Sequence, residues 1–570
     1  MSKESYTEWS KDDLVREIKK LKGRKKYGIV WEDKPELVAE LCKEKLPVLI
    51  EDKGKEIVTD KEKPVNLLIE GDNYHALSTL NYTHKGKIDV IYIDPPYNTG
   101  NHDFTYNDSY VDNEDSFRHS KWLSFMEKRL DLAKNVLKDT GIIFISIDDN
   151  EMAQLKLLCD EIFGIENFVS VFVWKRRSGA NDPKNFVSTD HEYILCYKKS
   201  DKTSLKGIKK DLSNYKNPDN DSRGPWTSGD LTCGKTKEER QNLFYDITDP
   251  KTGVTYHANP NRVWRFEKER MLREIREGKI LFPKKTGGMP QYKRFANDLK
   301  SEFKPLSTWI EASIISHKEI EEQENEFEIN IMQSDLNQSA TKELRELFGK
   351  QVFNYPKPKK LIQEILKYSM SDKGIVLDFM AGSGTTAHAV LELNKEDNGK
   401  RRFILCTNNE DNNGSGLKIC TDICYPRVKK VIQRLEKESK GKLIKNMPGN
   451  LKYYKTDFVD AEQTDRNKRR LVNKSTEMLC LKEDCFEEVK KENHYRIFRD
   501  SHDKYLGIVY DDEGIDSFKK EAKKLNKKFA VYVFSLDDSA REEEFEDVED
   551  LVDLKPIPAV ILNVYKRIFK

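Results

Sequence analysis

The sequence predicts an α/β protein with a mostly parallel sheet. Short β-branched and apolar runs, typical of buried strands, alternate with segments whose apolar residues recur at helical spacing. Two of these strands run into loops of unusual composition, Asp94-Pro95-Pro96-Tyr97 after residues 88–93 and Asp378-Phe379-Met380-Ala381-Gly382-Ser383-Gly384-Thr385-Thr386 after residues 374–377. We expect the two loops to meet at neighbouring strand ends.

The elements of this α/β pattern follow in chain order. Strands are expected at 66–70, 88–94, 141–147, 168–174 and 192–197. A helix from Trp122 to Leu137 carries an apolar stripe that should pack on the sheet. Downstream, the pattern resumes with a helix at 359–370, a strand at 374–379, a helix at 384–394 and a strand at 402–407. Further strands are expected at 495–498, 506–510 and 529–534.

Changes in composition divide the 570 residues into five regions. Residues 1–60 are expected to be a charged helical extension, 61–200 and 346–460 the two halves of the α/β core, and 461–570 a separate small α+β domain. The interval 201–345 interleaves cations, aromatics, glycine and proline, as nucleic-acid surfaces do. A generic polar insertion is the alternative.

Charge and cysteine usage narrow the class of protein. The net charge of +1 argues against a generally basic DNA coat, although local basic clusters remain compatible with it. The nine cysteines include no Cys-x-x-Cys pair, so no metal site is expected and a reducing cytoplasm fits best. No apolar run approaches the roughly 20 residues of a membrane span, and the polar N-terminus has no signal-peptide core. A basic cluster near it is expected to be a solvated helix face, with phosphate contact as the alternative: Lys19, Lys20, Lys22, Arg24, Lys25 and Lys26.

The first loop has the parts needed to hold a planar base that bears an amino group. Asp94 provides a carboxylate, Pro95 a backbone carbonyl and Tyr97 an aromatic ring, while Pro96 restricts the residue before it. The second loop lies between a strand and a helix, where glycines let a ligand approach bare backbone. Each motif alone also fits an ordinary turn; the pair is far more specific.

Together the motifs resemble those of DNA amino-methyltransferases that use S-adenosylmethionine. The Asp-Pro-Pro-Tyr motif precedes the glycine turn, which is the order of the β group of adenine-N6 enzymes. Further segments match at 66–73, 97–100, 144–151, 354–358 and 449–454, and the set most closely resembles the modification (Mod) subunit of type III restriction-modification systems. The resemblance implies a Rossmann-like methyltransferase core, with 201–345 as an inserted target-recognition domain.

The resemblance also implies an activity and partners. We expect site-specific methylation of adenine N6 in duplex DNA by base flipping, a homodimer, and a separate restriction (helicase-nuclease) subunit. The alternatives are a stand-alone adenine methyltransferase, an N4-cytosine methyltransferase, and a catalytically silent DNA-recognition subunit. No metal is required, because transfer needs only acceptors for the amine hydrogens and a methyl donor.

Site residues are then expected as follows. In the catalytic loop, Asp94 and the Pro95 carbonyl accept the amine hydrogens, Pro96 holds that carbonyl, and Tyr97 stacks on the flipped base. The cofactor set is Asp378, Phe379, Ala381, Gly382, Ser383, Gly384, Thr385, Glu410 (with Asp411 as its rival on the ribose), Lys357 on the methionine carboxylate (or a surface lysine), and Asp72 at the cofactor adenine (or a helix cap). The DNA-contacting set is Arg223, Trp226, Lys284 and Lys285, together with Phe104 and Tyr106, for which ordinary packing is the alternative.

Overall fold

A large, mostly parallel sheet confirms the predicted α/β class. The computed structural model describes residues 10–11, 14–15, 29–60, 63–100, 103–107, 109–179, 187–284, 287–313, 331–412, 415–439 and 449–569. Two compact units are present, one from Gly207 to Leu306 and one formed by the residues on either side of it. The basic cluster from Lys19 to Lys26 lies outside the described residues.

The sheet contains eleven strands within the described residues. They are β1 (Lys45–Glu51), β2 (Val65–Glu70), β3 (Ile88–Ile93), β4 (Leu137–Ile147), β5 (Phe168–Lys175), β6 (His191–Lys198), β7 (Trp309–Ala312), β8 (Met332–Ser334), β9 (Ile375–Asp378), β10 (Arg402–Thr407) and β11 (Asn450–Asp460). Their spatial order is β1-β11-β2-β10-β9-β3-β4-β6-β5-β7-β8. Strand β1 is antiparallel to β11, and β6 is antiparallel to β4 and β5; the other neighbours are parallel.

Helices connect these strands. They are α1 (Leu37–Glu44), α2 (Asn73–Thr83), α3 (Arg118–Val136), α4 (Met152–Phe163), α5 (Lys268–Arg276), α6 (Asn337–Phe348), α7 (Lys359–Ser369), α8 (Thr385–Asp397), α9 (Tyr425–Ser439), α10 (Asp465–Asn473), α11 (Thr476–Glu483), α12 (Ile515–Leu525) and α13 (Ala559–Ile568). A π-helical turn, Ile419–Cys424, leads into α9. No helix among the described residues is long and apolar enough to cross a membrane.

The predicted strands and helices of the α/β pattern are all present, with ends that differ by at most four residues. The prediction was wrong for residues 1–60, where the described part contains strand β1 after the short helix α1. Leu46, Val48 and Leu49 of β1 are buried, so this run fills the core as a strand does. Pro47 is tolerated because β1 is an edge strand.

The region 461–570 has its own five-stranded sheet, but it shares a core with the main sheet. Its strands, in spatial order, are β12 (Glu487–Lys491), β13 (Tyr495–Arg499), β14 (Tyr505–Val509), β15 (Phe529–Phe534) and β16 (Val552–Ile557). Phe534 and Tyr565 belong to the same buried cluster as Leu46 and Leu77. The Tyr565 hydroxyl donates to the Pro47 carbonyl at 2.5 Å. The expected separate domain is therefore packed into the first unit.

The unit from Gly207 to Leu306 is built differently. It has a three-stranded sheet (Trp226–Asp230, Gln291–Phe295, Ile280–Leu281), two short strand pairs (Ile247–Thr248 with Thr255–Tyr256, Ile208–Lys209 with Phe303–Lys304) and helix α5. Leu231, Trp264, Met271 and Ile280 form its core. The expected insertion, 201–345, extends beyond this unit, since β7 and β8 join the main sheet.

Candidate active site

The two loops singled out in the sequence leave adjacent strands of the sheet. Strand β9 pairs in parallel with β3, with Val376 opposite Val90 and Leu377 opposite Ile91. Parallel neighbours end at the same edge, so the Asp94 loop and the glycine turn begin side by side. Strand β4 is parallel to β3 and antiparallel to β6, which brings the start of β6 to this edge as well. The predicted meeting of the two loops is confirmed.

The Asp94 loop is fixed by its own residues and by helix α3. The Tyr97 hydroxyl donates to Asp94 Oδ1 at 3.0 Å. The indole N–H of Trp122, from α3, donates to the Pro96 carbonyl at 2.8 Å. Pro95 is buried, while the Asp94 side chain is 29% exposed. The Asp94 carboxylate is thus partly exposed, while the backbone of its loop is held by the hydrogen bond from α3.

A lysine from a distant loop contacts this carboxylate. Lys357 Nζ lies 2.9 Å from Asp94 Oδ1 and 2.7 Å from the Tyr97 hydroxyl oxygen. Glu192, at the start of β6, has its Oε2 atom 3.2 Å from the same ammonium. The same oxygen lies 3.1 Å from the Tyr97 hydroxyl, from which it can accept a hydrogen bond. Arg176 lies 3.4 Å from the other oxygen of Glu192. Since Lys357 is buried, the surface-lysine alternative is wrong.

Burial and charge act in opposite directions on these groups. Burial raises the pKa of Asp94 above its ordinary value; Lys357 opposes this rise, and Glu192 adds to it. Burial disfavours the charged form of Lys357, yet Asp94 and Glu192 together hold the pKa of Lys357 above its ordinary value. The lysine therefore keeps its proton, and it is the partner that favours an ionised Asp94.

The glycine turn has a conformation that requires glycine. Gly382 has φ +48° and Gly384 has φ +78°, both in the left-handed region. A Cβ on Gly384 would lie 3.0 Å from Cys424 Sγ, and one on Gly382 would lie 3.3 Å from the Phe353 ring. Ala381 N–H donates to the Cys406 carbonyl at 3.1 Å, which ties the turn to β10. The backbone of the turn is thus held in one conformation by its glycines and by its bond to β10.

Asp378 makes the ordering hydrogen bonds of the turn. Its Oδ1 accepts from the Met380 N–H at 3.0 Å, and its Oδ2 accepts from the Thr386 hydroxyl at 2.5 Å. Burial raises the pKa of Asp378 from 3.8 to about 7, and the two hydrogen bonds only partly offset that rise. Phe379, the next residue, is fully buried and supports the turn from the core.

A buried arginine lies beneath the turn. Arg427, from α9, donates through Nη1 to Ser383 Oγ at 2.9 Å and to Thr385 Oγ1 at 2.8 Å. Its second nitrogen contacts His388, and Glu343 lies 3.8 Å away. Two of the predicted cofactor residues, Ser383 and Thr385, thus use their side chains to hold the turn.

The remaining cofactor candidates lie at the ends of β2 and β10. Glu410 is exposed, and its backbone carbonyl accepts from Ile419 N–H. Its rival Asp411 accepts from the Gly416 N–H at 3.0 Å. Asp72 caps helix α2 through a 2.7 Å bond from Tyr74 N–H, which matches the helix-cap alternative.

A different carboxylate, Glu70, lies at the tip of β2 beside β10. It accepts from Asn409 at 3.1 Å and from the Tyr453 hydroxyl at 2.5 Å. Glu70 is not among the predicted site residues, although the sequence shows it at the end of an apolar strand.

Phe104 and Tyr106 are core residues in this structure. They are 2% and 6% exposed, and the Phe104 ring packs edge-on against Phe125 at 5.3 Å. The Tyr106 hydroxyl donates to the Lys34 carbonyl at 2.6 Å. Apolar packing therefore places both rings, which agrees with the alternative given for them. Neither ring is exposed on a surface that a flipped base could contact.

The other DNA candidates belong to the unit from Gly207 to Leu306. The Arg223 guanidinium is bound to Asp221 and to the Glu277 carbonyl, and the Trp226 indole N–H donates to Asp219 at 2.8 Å. Lys284 is exposed, and Lys285 lies outside the described residues.

Three side chains of the site were not foreseen in these roles: Glu192, Arg427 and Lys357. Glu192 carried one signal, since it is a charge at the start of an otherwise apolar strand. Arg427 and the Asp94 contact of Lys357 had none, because their partners are distant in the chain.

Residues 88–527 match the family model described as DNA methylase. The Mod subunit of the type III restriction-modification enzyme StyLTI from Salmonella typhimurium is 36% identical over 420 residues, which cover 68% of this chain and 60% of that protein. The EcoP15I Mod subunit from Escherichia coli is 30% identical, covering 69% and 66% respectively. The type II methyltransferase M.KpnI from Klebsiella pneumoniae is 34% identical, covering 60% and 79%.

The chain therefore spans just under two thirds of the length of the two Mod subunits. The predicted resemblance to type III Mod subunits is confirmed, and so is the Rossmann-like methyltransferase fold. Both strand-end loops fall inside the matched range, which includes most of the chain. The chain belongs to the DNA methylase family.

Proposed function

We propose that the chain transfers a methyl group from S-adenosylmethionine to the N6 amine of adenine in duplex DNA. The observation that carries this proposal is the parallel pairing of β3 with β9, which brings Asp94 and the glycine turn to one edge of the sheet. Open parallel sheets bind their ligands outside the carboxyl ends of the strands. Two ligands bound at adjacent loops would be close enough to react.

The chemistry asked of the Asp94 loop is hydrogen-bond acceptance. The lone pair of an aromatic amine is delocalised into its ring, so the amine is a poor nucleophile. Asp94 accepts one amine hydrogen and the Pro95 carbonyl the other, which localises the lone pair. These bonds strengthen as positive charge grows on nitrogen, so they favour the transition state over the ground state. The Trp122 bond to the Pro96 carbonyl supports this role, because it fixes the loop.

The glycine turn fits the methyl donor. A Cβ at Gly384 would crowd Cys424 and one at Gly382 would crowd the Phe353 ring, so glycine lets the turn hold its tight shape at the end of β9. When bound, S-adenosylmethionine supplies an electrophilic methyl group on a sulfonium. Glu410, Asp411 and Glu70 are carboxylates at the ends of β10 and β2, and we propose one of them as the residue that contacts the ribose hydroxyls.

The target amine is inside a duplex, so the base must be flipped out to reach Asp94. Tyr97 is the proposed stacking partner for the extruded base, since its ring directly follows the two prolines. The unit from Gly207 to Leu306 is proposed to read the DNA sequence, which its mixed cations and aromatics support.

The relatives named as Mod subunits support a role as the modification subunit of a type III restriction-modification enzyme. In that role we propose a homodimer and a partner restriction subunit. A stand-alone methyltransferase is the second candidate, favoured by the match to a type II methyltransferase, of which this chain covers 79%. Co-purification of the chain with the product of a neighbouring nuclease gene would separate the two.

The proposal is tested with purified chain, methyl-tritiated S-adenosylmethionine and unmethylated genomic duplex DNA. We expect label in DNA, recovered as N6-methyladenine after digestion and mass spectrometry. Absence of label with cofactor binding intact would overturn the activity, and label in cytosine would overturn the choice of base.

The matched variants are Asp94→Asn and Asp139→Asn. The first removes the acceptor charge, and we expect label to fall by about 10²–10³-fold, as for loss of one transition-state hydrogen bond, with cofactor affinity kept. Asp139 is exposed and pairs with the surface residue Lys202, so its variant should match the wild type. Equal activity of both variants would remove Asp94 from the mechanism.

A further inference from the structure

Lys357 is a buried lysine, and burial of an ammonium is costly unless it is paired and hydrogen-bonded. It lies in the irregular segment between α6 and α7, and its residue exposure is 8%. Its ammonium contacts Asp94 Oδ1, Glu192 Oε2 and the Tyr97 hydroxyl at 2.9, 3.2 and 2.7 Å. Three contacts satisfy the three hydrogens of an ammonium, so this lysine is fully occupied by the residues of the candidate active site.

The charges around it are balanced. Asp94 and Glu192 are two carboxylates that share one partly buried site, and like charges there disfavour each other's ionisation. Lys357 lies between them, and Arg176 contacts the far oxygen of Glu192. Without the lysine, the two carboxylates would share the site with no cation between them, which disfavours the ionised form of Asp94.

The contacts also divide the two oxygens of Asp94. Among the described residues, Lys357 and Tyr97 both contact Oδ1. That arrangement fixes the carboxylate plane and leaves Oδ2 to accept a hydrogen from an incoming amine. A protonated carboxyl would offer a donor where an acceptor is needed, so the ionised form is the useful one.

We propose, on the basis of the methyl transfer proposed above, that Lys357 is a positioning residue that keeps Asp94 ionised and oriented as the acceptor of the amine hydrogen, with Glu192 holding the ammonium in place. The lysine acts through Asp94 and takes no part in binding the methionine carboxylate of the donor. This assigns Lys357 to the base-binding side of the site, and Glu192 with it.

The test is the pH dependence of kcat for Lys357→Met, with saturating S-adenosylmethionine and unmethylated genomic duplex DNA. Activity requires ionised Asp94, so it is present above the pKa of Asp94 and lost as the pH falls through it. Loss of a cation within 4 Å removes about 1–3 units of pKa depression, so the acid limb should move up by about that much. The charged and titratable groups around Asp94 are Lys357, Glu192, Tyr97, Tyr92 and Asp378, with Arg176 behind Glu192.

We expect kcat at pH 7 to fall by about tenfold or more, and to recover toward the wild-type value at higher pH as Asp94 ionises again. Glu192→Gln should move the acid limb the opposite way, to lower pH, because it removes a negative charge and keeps an acceptor for Tyr97. Lys357→Arg should restore most of the wild-type profile, since it keeps the charge. Lys360→Met, the same change at a half-buried lysine of helix α7 that pairs with Glu364, is the control.

Cofactor affinity separates this proposal from the alternative on the methionine carboxylate. By calorimetry, Lys357→Met should bind S-adenosylmethionine as the wild type does, and this measurement also shows that the variant is folded. An unchanged pH profile would overturn the proposal. If cofactor affinity also fell by about tenfold, the result would favour the methionine-carboxylate alternative in its place. Failure of the wild type itself to methylate DNA would instead overturn the proposed function, which the wild-type assay reports first.

Discussion

Gly384→Ala is the sharpest test of the glycine turn, because its cost follows from two features of the structure. Gly384 has φ +78°, where a residue with a Cβ costs about 1–2 kcal/mol. The new Cβ would lie 3.0 Å from Cys424 Sγ and 3.5 Å from the Cys424 carbonyl oxygen. Cys424 is fully buried, so relief of this overlap costs about a further 1–3 kcal/mol.

We therefore expect Gly384→Ala to lower the free energy of unfolding by about 2–5 kcal/mol. The turn can reduce part of that strain by shifting, and a shift that costs the bound ligand 1.4 kcal/mol weakens its affinity about tenfold. Urea denaturation measures the first effect, and calorimetric titration with S-adenosylmethionine measures the second.

Gly349→Ala is the matched control. Gly349 follows α6 with φ +75°, and a Cβ there would meet no atom within 4 Å. It shares the backbone cost, about 1–2 kcal/mol, without the overlap, and it should leave cofactor affinity unchanged. Equal losses of stability in the two variants, or wild-type affinity in Gly384→Ala, would refute the account of the turn.

Three further predictions concern the supports of the site. As the pH rises from 4 to 8, the free energy of unfolding of Asp378→Asn should increase relative to that of the wild type by up to about 4 kcal/mol. Burial raises the pKa of Asp378 from 3.8 to about 7, so the wild type loses stability as Asp378 ionises. Urea denaturation at both pH values measures the difference between the two proteins, and a difference that stays constant would contradict the prediction. Trp122→Phe loses its 2.8 Å bond to Pro96, worth about 1 kcal/mol; kcat should fall several-fold at unchanged cofactor affinity, and an unchanged kcat would show that the bond does not hold the loop. Arg129→Met leaves Glu36 buried without its 2.7 Å partner and should cost about 3–5 kcal/mol in urea denaturation; a cost near zero would mean that the pair is solvated.

The strands of the sheet and the two loops that follow them were predictable, because their signals are local. Runs such as 88–93 are buried strands by composition alone, and Pro95 and Pro96 end that strand wherever it lies. The order of strand, glycine turn and helix around Gly382 likewise follows from nearby residues. That β3 and β9 are neighbours is not a local signal, and it was expected from the family resemblance of the two motifs; parallel pairing then brings the loops to one edge.

The electrostatics of the site were not predictable in the same way. Lys357 and Tyr97 are 260 residues apart, so their contact depends on the finished fold. Phe104 and Tyr106 have the composition of a stacking loop, but burial decides their role, and burial depends on Phe125 and on the segment at Lys34. Charged or aromatic character is visible in a sequence; the side that faces the ligand is not.

The proposed methyl transfer requires one edge of the sheet to bind both the methyl donor and the amine that receives the methyl group. A crystal structure of the chain with S-adenosylhomocysteine tests it most directly. The ligand sulfur should lie against the backbone of residues 382–384 and point toward the Asp94 carboxylate, with room for one amino group between them. A sulfur bound elsewhere, or separated from Asp94 by protein atoms, would contradict the claim.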